Sequence, residues 1–139
     1  MVSGFFDPFH QGSLSYLKQA KALVQAEDNF LICIVGSDAQ LLLKKDRVNI
    51  PEAGRLEIVD MILRGLGMFP FCCELNRWDT DTILVAKALE ARRPELFFRG
   101  GDKALNTMAR AELWACYRLG IVIKHATLEH DTHGAGMLL

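Results

Sequence analysis

The stretch "GFFDPFHQGS", residues 4–13, gathers the groups of this chain best suited to handling a phosphate. Gly4 and Gly12 permit tight backbone. A helical pattern begins after Gly12, so its unbonded N–H groups point at whatever the turn holds and favour an anion. His10, at the mouth of the turn, can donate a hydrogen bond to a phosphate oxygen or carry positive charge. A single histidine in a turn is often just an exposed residue, so composition alone does not assign it. Basic residues recur further along: Lys44, Lys45 and Arg47, then Arg55, then Arg99 and Lys103. Each by itself reads as a solvated surface charge, and it is their recurrence on one expected edge of the fold that sets them apart.

The elements that must position these groups alternate. "MVSGFF" reads as a short first strand, and "GSLSYLKQAKALVQA" carries Leu14, Leu17, Ala20 and Leu23 near helical spacing. "NFLICIVG" is a continuous apolar run, as in a strand buried on both faces. A short helix follows at "SDAQLLL", with Ser37 or Asp38 as its cap. Pro51 opens the next helix, and Gly65 and Gly67 close it. "MFPFCCEL" is a third strand, which Pro70 places at an edge. "DTDTILVAKALEARR" reads as a helix over 79–93 with an acidic start and a basic end. "PELFFRGGDK" is a strand entering a turn, "NTMARAELWACYRL" a helix stopped by Gly120, and "IVIKHA" a fifth strand.

This alternation implies an α/β fold, Rossmann-like and three-layered, in which a five-stranded parallel sheet carries helices on both faces. Ligands of such sheets bind beyond the carboxyl ends of the strands, where the strand order reverses. With the order 3-2-1-4-5, "GFFDPFHQG" and "RGGDK" stand side by side and form one site.

The bulk numbers narrow the classes. At 139 residues and 50% hydrophobic content, residues 1–139 read as one domain with a proper core. A net charge of -1 gives no general basic field for nucleic acid. No apolar run reaches the roughly 20 residues of a membrane span, and the N-terminus does not read as a secretion signal. Cys33, Cys72, Cys73 and Cys116 form no CxxC pair and read as reduced, buried thiols, which fits a cytoplasmic protein. His125, His130, Asp131 and His133 could in principle hold a transition metal, but their spacing matches no established ligand pattern, so no metal site is expected. No Gly-x-Ser-x-Gly turn marks a nucleophile.

Taken together these stretches resemble the nucleotidyltransferase superfamily with the signature G-x-F-D-x-x-H-x-G-H, and within it the cytidylyltransferase-like branch. That branch includes glycerol-phosphate cytidylyltransferases and heptose-phosphate adenylyltransferases. "GFFDPFHQGS" falls on the signature. "LLLKKDRVNIPEAGRLEIV" resembles the lysine loop and Pro-x-x-x-Arg helix, and "RGGDK" the Gly-Gly-Asp segment. The resemblance implies attack of a small phosphorylated acceptor, such as a polyol or sugar phosphate, on the α-phosphate of CTP or ATP, with pyrophosphate released. It implies that Phe5, Phe6, Asp7 and Gly12 shape the nucleotide turn, and that His10, Ser13, Lys44 and Arg55 act on the phosphates. Gly101 and Asp102 would lie near the nucleoside, and Thr132 and Gly134 at the tail turn. Mg²⁺ would accompany the triphosphate, and a homodimer is the usual assembly.

Three departures fall at the phosphate end of that pattern. Ser13 stands where the signature has its second histidine. Phe5 stands where the family usually has a small or polar residue. Gly134, Ala135 and Gly136 stand where hydroxyls normally hold phosphates. Loss of one preorganised donor costs about 3–4 kcal/mol in such sites. Two readings follow: an active transferase with a divergent phosphate site, helped by His130 or His133 from the tail, or a degenerate relative kept for nucleotide binding or assembly.

Overall fold

The structure, a computed structural model, describes residues 1–100 and 108–127. Gly101, Asp102, Lys103, His130, Asp131, Thr132, His133 and Gly134 to Gly136 therefore lie outside the described residues. Five strands and five helices follow one another along the described chain, with two helices in succession between the second and third strands and single helices elsewhere. Strand β1 (Val2–Gly4) pairs in parallel with β2 (Leu31–Val35), and β2 with β3 (Phe71–Leu75). A second parallel ladder joins β4 (Leu96–Arg99) to β5 (Val122–His125), with Arg99 beside His125.

Strands β1 and β4 are tied to each other as well. The Phe98 N–H donates to the Met1 carbonyl at 2.9 Å. Beyond it, the Tyr16 hydroxyl accepts from the Ser3 N–H at 3.2 Å and donates to the Phe98 carbonyl. Burial pushes the Tyr16 phenol far above its ordinary range, so it stays a neutral donor in that position.

Helices cover both faces because successive strand residues point to opposite sides. Cys33 and Val35 of β2 meet Leu17 and Ala20 of α1 (Gln11–Glu27) and Val59 and Leu63 of α3 (Glu52–Gly65). Ile34, between them, faces Ala88 and Leu89 of α4 (Ala86–Arg92) and Ala115 and Cys116 of α5 (Arg110–Leu119). That is why β2 reads as an unbroken apolar run. All four cysteines are unpaired thiols, with Cys33 and Cys116 buried and Cys72 and Cys73 half-buried.

Helix α2 (Asp38–Lys45) starts in a capping box. The Ser37 hydroxyl accepts from the Gln40 N–H at 3.2 Å, and the Gln40 side chain accepts from the Ser37 N–H at 3.3 Å. Gly120, in the left-handed region at φ 71°, ends α5 as expected. One element departs from the sequence reading. The helix expected over 79–93 begins only at Ala86. Ahead of it the Asp79 carboxylate accepts the N–H groups of Asp81 (2.9 Å) and Thr82 (3.0 Å), and the Thr82 hydroxyl accepts that of Leu84 (3.1 Å). Such short side-chain bonds compete with helical ones for the same donors, and they win here. Among the described residues, no helix is long and apolar enough to cross a membrane.

Candidate functional site

The turn after β1 is fixed from three sides. Phe6 takes a left-handed φ of 54°, and its buried ring stacks on Phe9 at 5.8 Å. Asp7 faces inward with its carboxylate fully covered. One carboxylate oxygen accepts the Ile50 N–H at 2.7 Å, and the other accepts the Asn49 N–H at 2.8 Å and pairs with Lys45 Nζ at 3.0 Å. Burial alone would raise the Asp7 pKa, but the Asn49, Lys45 and Ile50 donors outweigh it and hold the carboxyl below its ordinary value.

A carboxyl depressed on folding contributes stability that is complete above its unfolded pKa and is lost as pH falls through the folded one. For Asp79 the sign is the same: burial works upward, but the Thr82 hydroxyl and the Asp81 and Thr82 N–H groups win. Wild-type stability should therefore fall as pH drops below about 4, and Asp7→Asn should be less stable at neutral pH with a shallower fall. Urea unfolding across that range measures both; parallel curves for the two proteins would contradict the assignment.

His10 is the N-cap of α1. Its Nδ1 accepts the Gly12 N–H at 3.0 Å, and its ring lies so close over Gly12 that a Cβ there would stand 2.9 Å from His10 Cε1. An imidazole accepting through Nδ1 carries its ring proton on Nε2, which leaves that N–H as an outward donor on an exposed side chain. Ser13 is buried, and its hydroxyl accepts from the His10 N–H at 3.3 Å, closing a capping box. Ser13 thus secures the helix start.

Beside this turn, over the carboxyl ends of the strands, lies a cleft of about 360 Å³. Its far wall is the loop before α4. Gln40 Nε2 donates to the carbonyls of Thr82 (2.9 Å) and Leu84 (3.1 Å), and Asn76 Nδ2 donates to that of Leu84 (3.2 Å). Glu112, at the start of α5, accepts the Val85 N–H at 2.9 Å. Lys44 and the buried Arg99 supply cationic side chains to the lining. Phe5 lies flat against Gly36, where a Cβ would come within 2.3 Å of its ring, and Lys44 Nζ sits 4.6 Å from the ring centre.

Arg55 is fully buried behind the turn. Its Nη1 donates to the Phe5 carbonyl (2.9 Å) and the Gly36 carbonyl (2.6 Å), its Nε to the Ile50 carbonyl (2.7 Å), and its Nη2 to Asp38 (2.7 Å). The structure therefore brings Phe5 and Lys44 to the cleft, sets His10, Gly12 and Ser13 at the helix start, and places Arg55 beneath both. His125 sits at the end of β5 with both ring nitrogens buried and without a hydrogen-bond partner among the described residues. Gln40, Asn76 and Glu112 escape a reading of the sequence. Their types are ordinary for a helix or loop, and only the fold reveals that they hold the cleft wall.

Parallel strands with helices on both faces, and an opening at their carboxyl ends beside a histidine-capped helix, form the kind of α/β architecture whose ligands bind at that end of the strands. The family model described as cytidylyltransferase-like matches residues 1–131, and the chain belongs to that family. It is similar to the Bifunctional protein HldE of Shewanella denitrificans, 35% identical over 114 residues that make up 78% of this chain and 21% of that protein. The Bifunctional protein HldE of Shewanella amazonensis is 31% identical over 109 residues, again 78% of this chain and 21% of the relative. The chain thus spans about a fifth of the length of these curated relatives.

Proposed function

We propose that this chain is a nucleotidyltransferase that moves CMP or AMP from CTP or ATP to a small phosphorylated acceptor. An acceptor phosphate oxygen forms the new bond to the α-phosphorus as the bond to the β-phosphate oxygen breaks, and pyrophosphate leaves. No covalent intermediate on the protein is needed, so the chain's part is to position the phosphates and to stabilise their spreading charge. The observation that carries the reading is the His10 ring. Its Nδ1 is engaged by Gly12, so its Nε2–H faces out at the start of a 17-residue helix beside the cleft of Lys44 and Arg99. The oriented donor, the helix start and the two cations all favour a polyanion.

In this reading Lys44 contacts phosphate directly, while Phe5, Phe6, Asp7 and Arg55 hold the turn in shape. Gly101 and Asp102 serve the nucleoside end of the site and Thr132 and Gly134 its phosphate end, and the five strands take the order 3-2-1-4-5. The bond from Phe98 of β4 to Met1, the residue ahead of β1, supports that order. Mg²⁺ would accompany the triphosphate and supply positive charge to its oxygens. Among the described residues no three His, Cys, Asp or Glu side chains gather to hold a metal ion.

One observation favours the second reading, a relative that binds nucleotide without turning it over: Phe5 fills the space above Gly36. The two readings separate in one assay. Purified protein with CTP or ATP, Mg²⁺ and a panel of sugar and polyol phosphates releases pyrophosphate if it is a transferase. Nucleotide binding by calorimetry with no release on any acceptor selects the second reading, and absence of both sinks the two together.

A further inference from the structure

Phe5 is held more firmly than a surface aromatic. Its carbonyl is fixed by Arg55, which in the same grip holds the carbonyl of Gly36. Its ring covers Gly36 so tightly that no side chain could stand there, and the Lys44 ammonium lies over the ring. The ring thus plugs the space over the ends of β1 and β2. Phe5 and Lys44 line the cleft, whereas His10, Gly12 and Ser13 do not. Phe5 follows β1 and stands between the cleft and the start of α1 along the chain.

We infer that Phe5 is a specificity-determining gate that sets how long a phosphate chain the site accepts. The inference takes the kind of ligand, a nucleotide, from the function proposed above. A monophosphate can rest in the cleft against Lys44 and Arg99 with the ring in place. A triphosphate has to run from the cleft across the ends of β1 and β2 to reach His10 and the helix start. It can do so only by lifting the ring from Gly36 and drawing Lys44 away from it. Opening the gate costs binding free energy that a monophosphate does not spend, so the gate weakens triphosphates selectively. Lys44 moves from the ring to the incoming phosphate in the same event, which couples the gate to the site's own cation.

The test is the ratio of triphosphate to monophosphate affinity, from calorimetric titrations with ATP, AMP, CTP and CMP and with inorganic tripolyphosphate. Phe5→Thr removes the ring and is expected to tighten ATP, CTP and tripolyphosphate binding about tenfold or more, with AMP and CMP changed less than about threefold. Phe5→Leu keeps apolar cover over Gly36, which makes it the variant to use if the threonine protein does not fold. Its expected shift is in the same direction and about threefold. A ratio unchanged from wild type in the folded variants overturns the gate. Tighter triphosphate binding without pyrophosphate release leaves the gate standing and removes the transferase reading. No binding of any of these ligands to wild type or variants overturns both.

Discussion

Replacing Arg55 with methionine is expected to destabilise the chain by about 3–5 kcal/mol, a large part of the roughly 5–15 kcal/mol by which a domain this size is usually stable. The guanidinium is fully buried, and it makes four hydrogen bonds, to the residues after β1 and after β2, to the loop ahead of α3 and to the first turn of α2. Methionine fills a similar volume but leaves the carbonyls of Phe5, Gly36 and Ile50 without donors. A buried acceptor stripped of its partner costs about 1–3 kcal/mol. Asp38 is partly exposed and can turn to water, so its share is smaller. Arg55→Lys should recover less than half of the loss, because a single ammonium on a flexible stem cannot reproduce the planar fork that reaches all four acceptors. Urea unfolding of the three proteins measures the series. Equal stability of the methionine variant and wild type would show that the clamp is incidental.

Arg55 also shows where a reading of the sequence runs out. A basic residue in a Pro-x-x-x-Arg helix, among several other basic residues, reads naturally as a phosphate ligand. Nothing in its identity says that it faces inward. Burial of the guanidinium follows from three chain segments whose carbonyls converge on one point, and convergence is a property of the fold. Asp7 was more legible. The resemblance places it in the turn, and its carboxylate accepts the N–H groups of Asn49 and Ile50 there. Lys45 lies further from view, since which of two adjacent lysines turns to Asp7 and which to Phe5 depends on the phase of a two-turn helix.

The fold itself was read more completely than the site. Hydrophobic period, Ser37, Pro51 and Gly120 mark most element boundaries, because caps and breakers act over three or four residues and leave a local trace. The stretch "DTDTILV" misleads for the same reason reversed. Its acidic residues suit a helix N-terminus, yet Asp79 and Thr82 bind their own backbone first and hold the segment as a loop. That loop then becomes the wall of the cleft through the nearby Asn76 and through Gln40 and Glu112, whose contacts are made across long stretches of sequence. Ser13 changes meaning as well. By type it is a missing histidine; in place it is the hydroxyl that closes the capping box on His10.

Loss of the His10 side chain is expected to lower turnover, measured as pyrophosphate release, about a hundred- to thousandfold, the usual effect of removing one preorganised donor to a developing oxyanion. The ring does two jobs that can be separated. Through Nδ1 it caps α1, and an N-cap is worth about 1 kcal/mol. Through Nε2–H it offers a donor whose direction is set by that same cap bond. His10→Ala removes both and should lower stability and turnover together. His10→Asn keeps a side-chain oxygen that can accept the Gly12 N–H, so it should restore most of the stability while leaving turnover low. If the asparagine variant recovers turnover along with stability, the ring acts only as a cap and the phosphate contact belongs elsewhere, with Lys44 and Arg99 the next side chains to test. If turnover stays low while the melting temperature returns, the outward N–H is the part that acts on substrate. Because the cap bond aims that N–H, the first turn of α1 is then at once the most ordinary local structure in the chain and the part of it closest to the chemistry.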